Sequence, residues 1–219
     1  MIHTINLLIK RAVDILGSFW GMIILSPLFF IISLWIKCDS RGPVFFLQER
    51  LGKNGEIFKI IKFRTMVVGA QNMGDGIKIS GENDSRITKC GHFLRKTSMD
   101  ELPQLFNVFK GNMSLVGPRP PLPEHPYTYE DYGDRARLRF VMRPGITGLS
   151  QVTVRNSVSW DDRIEMDVLY ITGFSFWLDI KVLFKTVFQV FKKENIYRPA
   201  PPAPDIGMKT VLNREEVNV

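Results

Sequence analysis

At 219 residues the chain is long enough for one domain with a real core and too short for two. Its formal net charge of +7 calls for an anionic partner, and the lack of zinc-finger spacing, a helix-turn-helix signal or an RNP-like strand argues against nucleic acid. That leaves anionic lipid and phosphorylated substrates.

Cys38 and Cys90 form no CxxC and fit a reducing compartment better than a disulfide framework. His3, His92 and His125 are too scattered for a histidine metal centre, and no P-loop, GxGxxG, HExxH or GxSxG occurs.

The 22 residues from Ile15 to Ile36 carry no charge and as a straight helix would run about 33 Å, enough to span a bilayer core. The segment is too long for a cleaved signal peptide, and no small-residue cleavage site follows it. Pro27 interrupts it, deleting one helical hydrogen bond at the Ile23 carbonyl, and Ser26 can re-satisfy a freed backbone group. Lys10 and Arg11 flank one side, Lys37 and Arg41 the other, so the positive-inside rule assigns both ends to the cytoplasm. The expectation is a re-entrant helix over residues 1–40, broken at Ser26-Pro27. A single bitopic helix with a proline kink is the alternative.

Residues 41–195 form the expected cytoplasmic domain. Val44–Arg50 and Glu56–Arg64, separated by Gly52-Lys-Asn-Gly55, predict a β-hairpin whose second strand places Ile60, Lys62 and Arg64 on one face, where two cations could meet a phosphate. A solvated edge strand guarded by charges explains the same pattern. Residues 69–91 are rich in Gly, Asn, Asp and Ser and predict a surface loop.

Ser98-Met-Asp-Glu-Leu-Pro-Gln104 places adjacent carboxylates, Asp100 and Glu101, near Arg95, Lys96 and Arg119. Carboxylates among cations at a helix start suit a metal-bound phosphate ester. Capping competes with that reading. Ser98 and Glu101 fit a capping box, and Asp100 as N-cap would leave Pro103 at a tolerated third position. Locally, capping is the simpler explanation.

A helix follows over Leu102–Phe109, ending near Gly111, and Pro118-Arg-Pro-Pro121 forces an extended turn around Arg119. Arg135, Arg137, Arg139 and Arg143 read as a solvated helix face able to meet headgroups. Pro144–Gly148 predicts a turn cluster, Leu149–Val154 a short strand and Trp160–Tyr170 a helix. Phe176–Lys193 is amphipathic and suits either the headgroup plane or a core face. Residues 196–219, Pro-rich then polar, predict a disordered tail.

Together these motifs resemble the small monotopic phosphoglycosyl transferases among the bacterial sugar transferases, over roughly residues 5–195. The resemblance rests on Lys10-Arg11 with Asp14, Ser26-Pro27, Phe58–Met66, Leu94-Arg95, Ser98–Gln104, Asn107, Met113–Pro120, Arg143–Gly148 and Gln151. It implies transfer of a sugar phosphate from a UDP-sugar to undecaprenyl phosphate with Mg²⁺, giving undecaprenyl diphosphate sugar and UMP. The implied fold is α+β and mostly helical: a re-entrant membrane helix, a small β-hairpin and amphipathic interfacial helices around one cytoplasmic domain.

By position, Asp100 is implied as nucleophile and Glu101 as Mg²⁺ ligand, with Asp100 beside the metal. Lys62 and Arg95 would hold phosphate oxygens, and Pro118, Arg119 and Pro120 would line the nucleotide side. Lys10 and Arg11 would meet the lipid phosphate, next to the membrane break at Ser26 and Pro27. Arg155 would hold nucleotide or sugar, although Thr153-Val-Arg-Asn156 stands where relatives tend to have Asn-Gly-Arg-Asn, and valine does not readily adopt glycine's positive φ.

The implied place is the cytoplasmic face of the bacterial inner membrane, among membrane lipids, as the family's minimal form. A homodimer stays open. A non-enzymatic basic membrane adaptor is the alternative from another functional class.

Overall fold

The computed structural model describes residues 4–73, 81, 84–154 and 158–192. Helix α1 (Thr4–Ile24) and helix α2 (Ser26–Asp39) meet at Leu25 with a bend of 60°. Pro27 brings no N–H to the ladder, and Ser26 Oγ donates to the orphaned Ile23 carbonyl at 2.8 Å. Among the described residues no single helix is long and apolar enough to cross a membrane, but the bent pair meets that test by length and composition. Leu16, Trp20, Ile24, Phe30, Ile31 and Leu34 all project outward, more than half exposed. The inner face of α2, with Leu28, Phe29, Ile32 and Ile36, packs on Phe63, Cys90 and Leu94.

The predicted hairpin forms. Strands β1 (Phe45–Leu51) and β2 (Ile57–Phe63) pair antiparallel, with Phe45 opposite Phe63. The described part of 69–91 is an irregular connection carrying one short turn at Ala70–Asn72, and it is well tied. Arg86 pairs with Asp84 at 2.7 Å and donates to the Ala70 and Met73 carbonyls. Helix α3 (Lys89–Lys96) begins inside the predicted loop, capped by Thr88 Oγ1 on the Gly91 N–H. Helix α4 (Gln104–Lys110) ends at Gly111, whose φ of 97° supplies the left-handed exit.

The predicted turn cluster at 144–148 is instead a strand. β3 (Ser114–Val116) pairs in parallel with β4 (Gly145–Thr147). A Cβ on Gly145 would lie 2.1 Å from the Gly117 nitrogen, so this pairing requires glycine. After helix α5 (Asp134–Arg137), the predicted strand at 149–154 is helix α6 (Leu149–Thr153). Leu149 and Val152, three apart, both face the core, a spacing that suits a helix and not an alternating strand.

Helices α7 (Trp160–Thr172) and α8 (Phe176–Lys192) close a core of Val116, Met142, Val152, Tyr170, Ile171 and Val182. Trp177, Phe184, Val187 and Phe188 of α8 remain more than half exposed.

The basic stretch is a solvated face only in part, with Arg135 exposed and Arg139 buried. Arg139 is 2% exposed and paired with Asp167 at 2.6 Å, Arg143 Nε donates to the Gly111 carbonyl, and Arg135 pairs with Glu165. The predicted tail at 196–219 lies outside the described residues.

Candidate active site

The chain leaves α3 through Ser98, which adopts the left-handed conformation at φ 57° although it is not glycine. A tight 3₁₀ turn follows over Met99–Glu101. This geometry overturns both capping expectations. Ser98 makes no side-chain cap, and α4 begins later with Pro103 at its N-cap, so Asp100 caps nothing. With about three residues per turn, neighbouring side chains on a 3₁₀ turn diverge by roughly 120°. The two carboxylates therefore meet different surroundings.

Glu101 is pinned. Its Oε1 accepts Lys62 Nζ at 2.7 Å and Arg119 Nη2 at 3.3 Å. Burial alone would raise its carboxyl, but Lys62 and Arg119 outweigh burial and bring it down to about 2. Asp100 accepts no hydrogen bond among the described residues. Burial pushes it up to about 6, with the Glu101 charge adding to the rise and Lys62, Arg95 and Arg119 restraining it. At neutral pH both are ionised, one neutralised by contact and one left with free lone pairs.

The surrounding cations come from separate elements. Lys62 is delivered by β2. Arg64, two residues on, turns away and donates to the Ser40 and Arg41 carbonyls at the end of α2, so the strand face contributes one cation to the acidic pair rather than two. Arg95 ends α3, with Nε bonded to Thr65 Oγ1 at 2.8 Å. Arg119 lies on the extended 117–121 run. Arg139 donates to its carbonyl at 2.9 Å, and Arg50 donates to the Pro120 carbonyl at 3.1 Å. Arg139 is held by Asp167, which also accepts Ser150 Oγ at 2.8 Å. Of the Pro118-Arg119-Pro120 run only Arg119 lines the cleft; the prolines hold its backbone, Pro118 through its carbonyl on the Gly145 N–H.

These groups line a cleft of about 2090 Å³. Its walls carry nine cationic side chains against five carboxylates among the described residues, a surplus suited to a diphosphate. Gly21 and Leu25, next to the helix break, line it together with Leu105 and Leu115; Trp160, His125 and Arg163 also line it.

Lys10 and Arg11, expected at a lipid phosphate, are used inside the protein. Lys10 is 7% exposed, pairs with Asp179 at 2.5 Å and donates to the Val116 carbonyl. Arg11 caps the end of α4 through the Val108 and Phe109 carbonyls. Ser26 and Pro27 stand at the break itself, with the Ser26 hydroxyl committed to Ile23. Arg155 lies outside the described residues.

Sequence reasoning missed Arg50, Arg139, Asp167 and Arg163. A signal for Asp167 existed: it interrupts the apolar stripe Ile164, Val168, Ile171 on α7, and a buried acid on such a face needs a cation.

Among the described residues no group of three or more acidic, histidine or cysteine side chains gathers as a metal cage. Two adjacent carboxylates, one with free lone pairs, suit Mg²⁺, which keeps much of its water and is shared with substrate phosphates.

Known proteins resemble this chain over most of its length. The bacterial sugar transferase family model matches residues 5–193. A UDP-glucose:undecaprenyl-phosphate glucose-1-phosphate transferase of Klebsiella pneumoniae is 42% identical over 90% of this chain and 43% of its own. The galactosyl transferase CpsE of Streptococcus agalactiae serotype III is 42% identical over 83% of this chain and 42% of its own. A UDP-N-acetylgalactosamine-undecaprenyl-phosphate N-acetylgalactosaminephosphotransferase of Aeromonas hydrophila is 42% identical over 82% of this chain and 43% of its own. The chain thus spans less than half the length of these relatives. The match still takes in the bent helix pair, the acidic pair and every cation placed around it, and on that extent the chain belongs to the bacterial sugar transferase family.

Proposed function

We propose that this chain transfers a sugar 1-phosphate from a UDP-sugar to undecaprenyl phosphate through a phosphosugar carried on Asp100, giving undecaprenyl diphosphate sugar and UMP. The observation that carries the reading is the unequal pair. One Glu101 oxygen is held by Lys62 and Arg119 and the other is left for a metal, while the Asp100 carboxylate beside the same cations accepts no hydrogen bond among the described residues.

In the first step an Asp100 oxygen attacks the β-phosphorus of the donor. The bond from that phosphorus to the bridging oxygen breaks, and UMP leaves with the electron pair. Lys62, Arg95 and Arg119 are placed to hold the non-bridging oxygens as charge shifts among them. In the second step a lipid phosphate oxygen attacks the same phosphorus, and the Asp100 carboxylate is released. Dividing the displacement lets donor and acceptor use the cleft in turn. Asp100 and Glu101 would hold Mg²⁺, which when bound neutralises diphosphate charge.

The bent, outwardly apolar α1–α2 pair fits a re-entrant insertion at the cytoplasmic face of the bacterial inner membrane, and the exposed Trp177, Phe184 and Phe188 of α8 fit the headgroup plane. Gly21 and Leu25 in the cleft lining would then bring a polyprenyl phosphate from the lipid to the acidic pair.

Intact-protein mass spectrometry with donor alone tests the reaction. A sugar phosphate adduct on Asp100 and UMP release before acceptor is added are expected. The panel is UDP-glucose, UDP-galactose and UDP-N-acetylgalactosamine, the first and last named for relatives as donors and galactose as a transferred sugar. No adduct, with UMP released only when both substrates are bound, would replace this scheme with direct attack by lipid phosphate. No UMP under any condition would return the protein to the class of basic membrane adaptors.

A further inference from the structure

We propose that Arg163, one turn into α7, is a donor-binding residue that works with Arg119 on the phosphate departing as nucleoside monophosphate and has no part in holding the acceptor. The inference rests on the transfer reading above and adds to it a nucleotide-side residue.

Most other arginines lining the cleft are already used. Arg139 is neutralised by Asp167, Arg64 is spent on carbonyls, and Arg50 donates to Gln48 and the Pro120 carbonyl. Arg163 differs. Asp167 acts on it by charge only and is already paired with Arg139, and no carboxylate among the described residues forms an ion pair with it. Its one side-chain hydrogen bond among those residues is from Nη2 to the Val158 carbonyl at 3.5 Å; its buried Nε, like those of Arg50, Arg64 and Arg139, has no partner. A guanidinium carries five donors in a fixed plane, and leaving them unmatched in a part-buried wall is costly unless a ligand takes them.

The plane is preset by its neighbours. The Arg163 guanidinium lies over the Trp160 ring at 5.0 Å, and Trp160 meets His125 edge-on at 5.4 Å. Both rings line the same cleft. Arg119 bears on the same point. Both guanidinium groups line the cleft, and after burial the Arg119 charge is the next cause holding Arg163 below its ordinary value, so the two repel each other. An anion between them would relieve that repulsion and accept from both forks.

Position decides which anion. α7 packs on α5, α6 and the 138–140 turn, whereas α1 and α2 pack on α3, α4 and β3. Arg119 joins the two sides, touching Glu101 by its side chain and Arg139 by its carbonyl. Arg163 therefore belongs to the α5–α7 part of the cleft wall, whereas the apolar helix break belongs to the part built by α1 to α4. The soluble donor reaches that wall, while a lipid phosphate tethered at the break approaches from the other side.

The test uses the full chain in detergent with three readouts: UMP affinity by calorimetry, KM for the UDP-sugar and KM for undecaprenyl phosphate. Arg163→Gln should raise the UMP Kd and the donor KM together by at least tenfold and leave the acceptor KM within twofold of wild type. Arg163→Lys, which keeps charge but loses the fork, should fall between. Thermal unfolding of both variants checks that the fold survives, and the lysine variant alone decides the matter if the glutamine variant does not fold. A UMP Kd within twofold of wild type, or a loss confined to the acceptor KM, would overturn the inference, as would wild type that binds no UMP. Wild type that binds UMP through Arg163 yet releases none from any UDP-sugar would overturn the transfer reaction and leave the nucleotide site standing.

Discussion

Charged pairs occur in two settings in this protein, and they do different work. Where α1 meets α8, Lys10 and Asp179 are each 8% exposed at the side chain, and the pair is closed by the Tyr170 hydroxyl at 2.7 Å and the Val116 carbonyl at 2.8 Å. Beneath the 117–121 run, Arg139 and Asp167, each 1% exposed, are closed by Ser150 and the Arg119 carbonyl. In both, charge is balanced and each partner has further hydrogen bonds. The acidic pair in the cleft is not closed. Glu101 has two cations, Asp100 has no hydrogen bond among the described residues, and cations remain in excess. A closed pair fixes position, because any movement strands a buried charge. An open cluster is held ready for an anion that the protein does not itself supply.

The most severe test opens the acidic pair further. Asp100→Asn keeps size and turn geometry but removes the proposed nucleophile, and should lower turnover by roughly 10⁴-fold or more and abolish the adduct. Glu101→Gln should also impair turnover and raise the Mg²⁺ concentration needed for half-maximal rate; an unchanged Mg²⁺ requirement would take Glu101 out of the metal's reach. Stripping divalent ions with EDTA should stop turnover, and Mg²⁺ should restore it.

Next in size are the cations. Arg119→Ala and Arg95→Ala should each cost about 10²-fold in turnover while membrane association is kept, because each removes a donor aimed at phosphate oxygens. Lys185→Ala, at an exposed position on α8, should change turnover little. If Lys185→Ala proved the most damaging of the three, the site would be misplaced.

The closed pairs should fail differently. Asp179→Ala leaves Lys10 buried without its carboxylate and should destabilise the protein by about 3–5 kcal/mol, read as a lower Tm in detergent. Lys10→Met combined with Asp179→Leu should recover most of that loss, since it removes both charges. A double variant as unstable as the single one would mean that the pair contributes more than mutual neutralisation.

The hairpin, α4 with its Gly111 end, α7 and α8 were legible because each depends on local periodicity and turn chemistry. The 144–148 and 149–154 segments were not. The β4 pairing depends on Gly117 and Gly145 meeting across the chain, and such a contact leaves no local pattern. Asp100, Glu101, Lys62, Arg95 and Arg119 could be nominated from motif resemblance, and the structure gathers them in one cleft. Lys10 was nominated by the same route and is buried on Asp179, while Arg11, part-exposed, reaches the last carbonyls of α4, because a sequence shows that a cation is present and not what meets it. Arg139 was misread for the converse reason: its partner lies 28 residues away on another helix.

The smallest effect expected comes from the helix break, where two neighbouring residues contribute unequally. Ser26 Oγ satisfies the Ile23 carbonyl, but the bend itself follows from the missing N–H and the ring of Pro27. Ser26→Ala should therefore keep the bend and cost about 1 kcal/mol, the net worth of one hydrogen bond. Changing Ser26-Pro27 together to Ala-Leu restores a complete ladder and should favour a straight, spanning helix. Cysteines placed at positions 3 and 41 report the difference. In wild type and in Ser26→Ala both should resist a membrane-impermeant thiol reagent added outside the cell, whereas in the double replacement position 3 should become reactive. Labelling at position 3 in the wild-type background would sink the re-entrant arrangement, and an unreactive double replacement would mean that the packing of α1 on α4 and β3, rather than the proline, holds the bend.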